Sequence, residues 1–159
     1  MSLKSKNAVV TGSTSGIGLA IAKALAAEGA NVMLNGLGTA DDMAPVLKDI
    51  EALGVKAMFS PANMMKPEEI AGMVKDAEKA FGAVDILVNN AGVQFVSPIE
   101  EFPAEKWHQI IAIDLSAVFF AIQAAMPGMK ARKWGRIINT ASAHGLVASP
   151  FKSAYVSAK

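Results

Sequence analysis

Ser142, Tyr155 and Lys159 are the residues whose types and spacing could carry a reaction. Thirteen positions separate the serine from the tyrosine and four separate the tyrosine from the lysine, a step that on a helix stacks phenol and ammonium on one face. A free phenol titrates near pH 10, so to act as a base at neutral pH it needs its anion stabilised, and a fixed ammonium does that. Such a base could remove the proton of a substrate hydroxyl while the serine holds the same oxygen by a hydrogen bond. A tyrosine and a lysine four apart are, taken alone, more often an exposed helix face. Only what lies upstream reverses that reading.

A second constellation lies near the N-terminus, where a short apolar run ends in Thr11-Gly12-Ser13-Thr14-Ser15-Gly16-Ile17-Gly18 and passes directly into a helical pattern. Free N–H groups and the helix dipole at such a junction attract an anion, and glycines let the backbone approach it closely. Gly12, Thr14, Ser15, Gly16, Ile17 and Gly18 are therefore candidate contacts for the pyrophosphate of a dinucleotide.

The elements that must position both groups follow from periodicity. Apolar runs near residues 6–11, 31–35, 55–59, 84–89 and 135–140 read as strands buried on both faces. Between them lie helical stripes. Ile17, Ile21 and Leu25 lie on a helix from Ser15 to Glu28, stopped by Gly29, and Met43, Val46, Leu47, Ile50 and Leu53 precede Gly54. A third helix opens at Pro67 and two glutamates and closes at Gly82. The fourth is expected from Pro103 to about Arg132, with Trp107, Ile111, Val118 and Ile122 on one face. Alternating strands and helices demand right-handed crossovers, which gives an α/β doubly wound parallel sheet of Rossmann type with strand order 3-2-1-4-5, in one domain over residues 1–159.

Composition narrows the function classes. The net charge of +1 offers no field for nucleic acid, and Lys130, Arg132, Lys133 and Arg136 suit the negative end of a helix. With no cysteine, disulfides, thiolate nucleophiles and sulfur metal ligands are absent, so no metal site is expected and a cytoplasmic setting is compatible. The first residues lack the apolar stretch of a signal peptide, and no run is expected to serve as a membrane span.

The glycine spacing G-x-x-x-G-x-G, Asn89-Asn90-Ala91-Gly92 after the fourth strand, Ser142 after the fifth, and Tyr155-Val156-Ser157-Ala158-Lys159 stand in one order along the chain. In this they resemble the short-chain dehydrogenase/reductase family. Gly-Arg-Ile-Ile-Asn at 135–139, Ala-Ser-Ala-His-Gly-Leu-Val-Ala-Ser at 141–149, Lys-Ser-Ala-Tyr at 152–155, Asn35-Gly36-Leu37-Gly38 and Gln94 look like its 3-hydroxybutyrate dehydrogenases. The resemblance implies Tyr155 as general base, Ser142 on the substrate oxygen and Lys159 bound also to the nicotinamide ribose. It implies Leu37, Asn63, Met64, Asn90 and Gly92 as further cofactor contacts, and Gln94, His144 and Lys152 as partners of a substrate carboxylate. It further implies a homo-oligomer, a tetramer in this family, built through the long fourth helix and the last helix, which bears Tyr155.

Cofactor choice turns on the end of the second strand. A 2′-phosphate needs a cation, and neither Asn35-Gly36-Leu37-Gly38 nor the glycine turn holds one, which favours NAD over NADP. The expected reaction is hydride transfer between NAD and a small 3-hydroxy acid. A 3-oxoacyl thioester reductase of the same family, or a noncatalytic nucleotide-binding module, are the competing readings.

Two positions depart from the family pattern. Asp114 stands where the family has an asparagine whose backbone carbonyl holds a water leading to the lysine; on an apolar helix face a carboxylate without a partner is expensive. Asn63 replaces an adenine-binding aspartate; its oxygen can still accept a hydrogen bond, without charge assistance. The match also covers only the cofactor half of the family's fold. A helix stub of six or so residues is too short to be stable alone, so little turnover is expected of residues 1–159 by themselves.

Overall fold

The computed structural model describes residues 2–159. Five strands, β1 (Asn7–Val10), β2 (Asn31–Asn35), β3 (Ala57–Ser60), β4 (Ile86–Asn89) and β5 (Arg136–Asn139), form one parallel sheet in the order β3-β2-β1-β4-β5. The anticipated order is thus observed, with most strands a residue or two shorter than their apolar runs. Val9 lies opposite both Met33 and Leu87, so one row of side chains crosses three strands on one face. Ala8, Val10, Val32, Leu34, Ile86 and Val88 occupy the other. Both rows are buried, as a parallel sheet covered on two sides requires.

Helices α1 (Gly16–Ala27) and α2 (Ala40–Glu51) cover the second face, and α3 (Pro67–Phe81) and α5 (Ala117–Arg132) cover the first. Thr39 caps α2, its hydroxyl accepting from the Asp42 N–H while the Asp42 carboxylate accepts from the Thr39 N–H. This reciprocal pair satisfies two otherwise orphaned donors. The α3 helix ends on Gly82 in the left-handed conformation, φ 90°.

The fourth predicted helix is a continuous rod, Ala104–Arg132, of three parts: α4 (Ala104–Ile110), a π-helical turn (Ile111–Ser116) and α5. Its buried face differs from the expected one. Ile110, Asp114, Ala117, Ala121, Ala125 and Met129 point inward, whereas Trp107 is exposed and Ile111, Val118 and Ile122 are only half-buried. The same correction applies to α1, where Gly18, Ala22 and Ala26 pack on the sheet and Ile17 is 68% exposed. Helices lie close to a sheet where their contact residues are small. Contrary to expectation, an 18-residue window of the rod reaches a mean hydropathy of 1.8, enough by length and composition for a membrane span. In this fold one side of the rod packs against α3 and β4, and 28% of that window is buried.

The basic cluster is exposed at the C-terminal end of α5, as expected, and Arg132 also makes structural contacts. Arg132 donates through Nη2 to the Val84 carbonyl at 2.6 Å and lies 3.8 Å from the Asp85 carboxylate, while Lys133, at φ 56°, ends the helix. Last comes α6 (Ser153–Ala158), docked through Ala154 and Ala158 on Ile110, with Phe95, Phe102 and Ile111 around them. A six-residue helix is held by this packing, not by its own propensity.

Candidate active site

The glycine turn is built against the end of β4. A side chain at Gly12 (φ 60°) would place its Cβ 2.7 Å from the Ala91 Cα, and one at Gly18 would strike the Gly12 carbonyl oxygen. Only glycine lets these three backbone segments touch. Thr11 Oγ1 accepts from the Asn90 and Ala91 N–H groups, both at 3.0 Å. Asn90 Nδ2 donates to the Thr11 and Gly12 carbonyls, also at 3.0 Å. The amide hydrogens of Asn90 thus hold the turn, leaving its oxygen for a ligand.

Ser15 caps α1 without a side-chain hydrogen bond, and Ser15, Gly16 and Ile17 are exposed. The first N–H groups of the helix therefore face open space, as an anion site needs. This cradle fits the pyrophosphate of a dinucleotide.

Asn35, which sequence reasoning used only as part of a motif, is a fully buried hub. Its Oδ1 accepts from the Gly12 N–H at 3.3 Å, and its Nδ2 donates to the Ser60 and Ala62 carbonyls at 3.1 and 2.9 Å. Spent on the fold, it has no hydrogen left for a ribose. Leu37 beyond it is 93% exposed. Asn63 Oδ1 accepts from the Met65 N–H at 2.9 Å, and the Asn63 N–H donates to Glu69 at 2.8 Å. Met64 buries its side chain in the core, so only its backbone could face a cofactor.

The candidate catalytic residues converge where β5 and α6 meet the rod. Ser142 follows β5, its Oγ accepting from the His144 N–H at 3.2 Å. The His144 ring stands edge-on to Tyr155 with centroids 6.3 Å apart. Lys159 brings its ammonium to 5.7 Å from the centre of the Tyr155 ring while donating to the Thr140 carbonyl at 3.2 Å. Gly145 sits against the Lys159 backbone, tying the turn after Ser142 to the end of α6.

Asp114 enters this group through the π-helical turn. Its Oδ1 accepts from the Val93 N–H at 2.8 Å, and its Oδ2, which has no hydrogen-bond partner among the described residues, lies 3.7 Å from the Lys159 ammonium. The expectation of an unpartnered carboxylate is corrected: this one faces the lysine directly. Burial pushes the Asp114 carboxyl above its usual range, with the Val93 N–H and then Lys159 pulling the other way. A π turn in a long helix often marks a functional site. The sequence signal for Asp114, though not for the π turn, was a lone carboxylate on an apolar face.

Gly92 lies beside Asp114 and Lys159, and Gln94 beyond it is exposed. Lys152 is half-buried at the start of α6. The loop carrying Gln94 meets the one carrying His144 and Lys152 through a hydrogen bond from the Ser97 N–H to the Phe151 carbonyl at 2.9 Å. Among the described residues no cluster of metal-ligating side chains occurs.

Comparison with known proteins finds relatives along nearly the whole chain. The D-beta-hydroxybutyrate dehydrogenase of Rhizobium meliloti (strain 1021) is 59% identical over 155 residues, 97% of this chain and 60% of that one. Its counterpart of the same name from Cupriavidus necator is 55% identical, over 99% of this chain and 60% of the relative. A 3-oxoacyl-[acyl-carrier-protein] reductase of Staphylococcus epidermidis is 38% identical, over 97% of this chain and 63% of its own length. A crystal structure from Sinorhizobium meliloti 1021, described as a short-chain alcohol dehydrogenase, superposes with a TM-score of 0.94 at 34% identity. It is matched over 99% of this chain and 62% of that one. The chain thus spans about 60% of the length of these two hydroxybutyrate dehydrogenases. With the short chain dehydrogenase model matching residues 6–159, the chain belongs to the short-chain dehydrogenase family.

Proposed function

We propose that this protein is an oxidoreductase that transfers a hydride between NAD and a small 3-hydroxy acid, most nearly (R)-3-hydroxybutyrate and acetoacetate. The observation that carries the reading is the placement of the Lys159 ammonium beside the Tyr155 ring, with Ser142 in the adjoining turn. In the oxidation direction Tyr155 takes the hydroxyl proton and Ser142 holds the same oxygen. Lys159 opposes the negative charge that builds on the phenol. A bound nicotinamide supplies the hydride acceptor. Gln94, His144 and Lys152 pair the substrate carboxylate, which would otherwise lose its solvation uncompensated.

Support for the substrate class comes from the two hydroxybutyrate dehydrogenases at 55–59% identity, against 38% for the thioester reductase. The lack of a cation in residues 11–18 and 35–38 supports NAD. Leu115 and Phe119, exposed on the rod, support assembly of copies through that helix, and a cytoplasmic setting accords with the absence of cysteine.

The direct test is Tyr155→Phe in the full-length protein. Turnover should fall by about 10³-fold, the usual scale for removing a general base, while the NAD dissociation constant stays within a factor of about two. Retained turnover would refute the assignment of the base.

A further inference from the structure

Phe151 adopts a left-handed backbone conformation, φ 61°, one of three such non-glycine residues among the described ones. For a bulky side chain this is a strained state that persists only where the surroundings enforce it. Phe151 is 57% exposed, and its tie to the neighbouring loop is through the backbone. The Phe151 carbonyl accepts the Ser97 N–H at 2.9 Å, and Pro98 directly follows that donor.

This hydrogen bond joins two loops of different origin. One leaves β4 and carries Gln94; the other leaves β5 and carries His144 and, immediately after Phe151, Lys152. Lys152 is the residue from which α6 starts, so the direction of the chain at Phe151 sets where both the Lys152 ammonium and the helix bearing Tyr155 begin. We infer that the Ser97–Phe151 contact is a clamp that fixes Lys152 and Gln94 relative to each other, making Phe151 a positioning residue for recognition of the substrate carboxylate. The inference rests on the hydroxy-acid reading above. The strain at Phe151 is held by the clamp and released if it opens, so glycine, free of that strain, keeps the clamp closed, whereas a β-branched residue, more averse to the left-handed region than phenylalanine, opens it.

The test compares Phe151→Gly, Phe151→Ala and Phe151→Val in the full-length protein, with hydrogen exchange of the Ser97 amide and kinetics on 3-hydroxybutyrate and its methyl ester as readouts. Glycine and alanine both delete the ring, so any difference between them belongs to the backbone. Phe151→Gly should keep Ser97 protected and KM for the free acid within about twofold, whereas Phe151→Val should expose Ser97 and raise that KM by about tenfold. The methyl ester, lacking the charge, should show no such rise. If Phe151→Val does not fold, Phe151→Ala carries the same comparison against Phe151→Gly, with a smaller shift in the same direction.

Equal losses in Phe151→Gly and Phe151→Ala would assign the effect to the ring and overturn the inference. So would a KM that rises alike for acid and ester. Failure of the underlying reading is recognisable separately, because the unmodified protein would then turn over acid and ester equally well before any substitution is made.

Discussion

Asp114 is the side chain whose chemistry most distinguishes this site, because it sets a carboxylate 3.7 Å from Lys159, the lysine proposed to support the base. Burial raises its carboxyl from the ordinary value of 3.8, outweighing the Val93 N–H and Lys159. A carboxyl raised on folding contributes stability that is fully present below its ordinary value and is lost as pH rises through the raised one. Asp114→Asn, which does not titrate, should therefore be more stable relative to the unmodified protein at pH 7 than at pH 4. Thermal unfolding at the two pH values measures this, and an equal difference at both would refute it. The same anion lies 3.7 Å from the Lys159 ammonium and opposes the positive charge it would offer a phenolate. The pH optimum of oxidation should accordingly fall in Asp114→Asn, and superimposable profiles would contradict the coupling. At Asn63 the oxygen is engaged by the Met65 N–H. A carboxylate there would keep that bond and add charge-assisted acceptance, so Asn63→Asp should tighten NAD binding several-fold by titration calorimetry. An unchanged dissociation constant would count against an adenine contact at this position.

Among the elements, the β1–α1 junction is the least tolerant of change. Gly18→Ala would drive a methyl into the Gly12 carbonyl and against Asn90, so it should cost about 1–3 kcal/mol of stability and weaken NAD binding, measured by denaturant unfolding and titration. An unperturbed variant would show that the turn is looser than its packing indicates. This junction was legible in the sequence because glycine spacing between a strand and a helix has a direct steric meaning. The helix faces were less so. Ile17 and Trp107 carry the strongest apolar signal, yet the sheet is met by Gly18, Ala22, Ala117, Ala121 and Ala125, whose small size sets how closely the helix packs. The π-helical turn was illegible, because its hydrogen-bond shift leaves no mark on apolar periodicity. Asn35 was read as part of a motif when its work is to join β1, β2 and β3.

Across the whole molecule, the sheet order places the ends of β1, β4 and β5 side by side, so that the glycine turn, Asn90, Ser142 and the Tyr155–Lys159 pair share one rim. That convergence was legible as far as topology goes, since βα alternation fixes which strand ends are neighbours. What the sequence did not show was how α6 is held: Ala154 and Ala158 rest on Ile110, linking the base to the rod that carries Asp114. The β5 strand is open along one edge and three of its four residues are exposed. The decisive measurement is the initial rate of NAD reduction with (R)-3-hydroxybutyrate, set beside the rate of NADPH oxidation with a 3-oxoacyl thioester. Efficient turnover of the free acid with NAD, and little of the thioester with NADPH, is the result this account predicts; the reverse preference would contradict it.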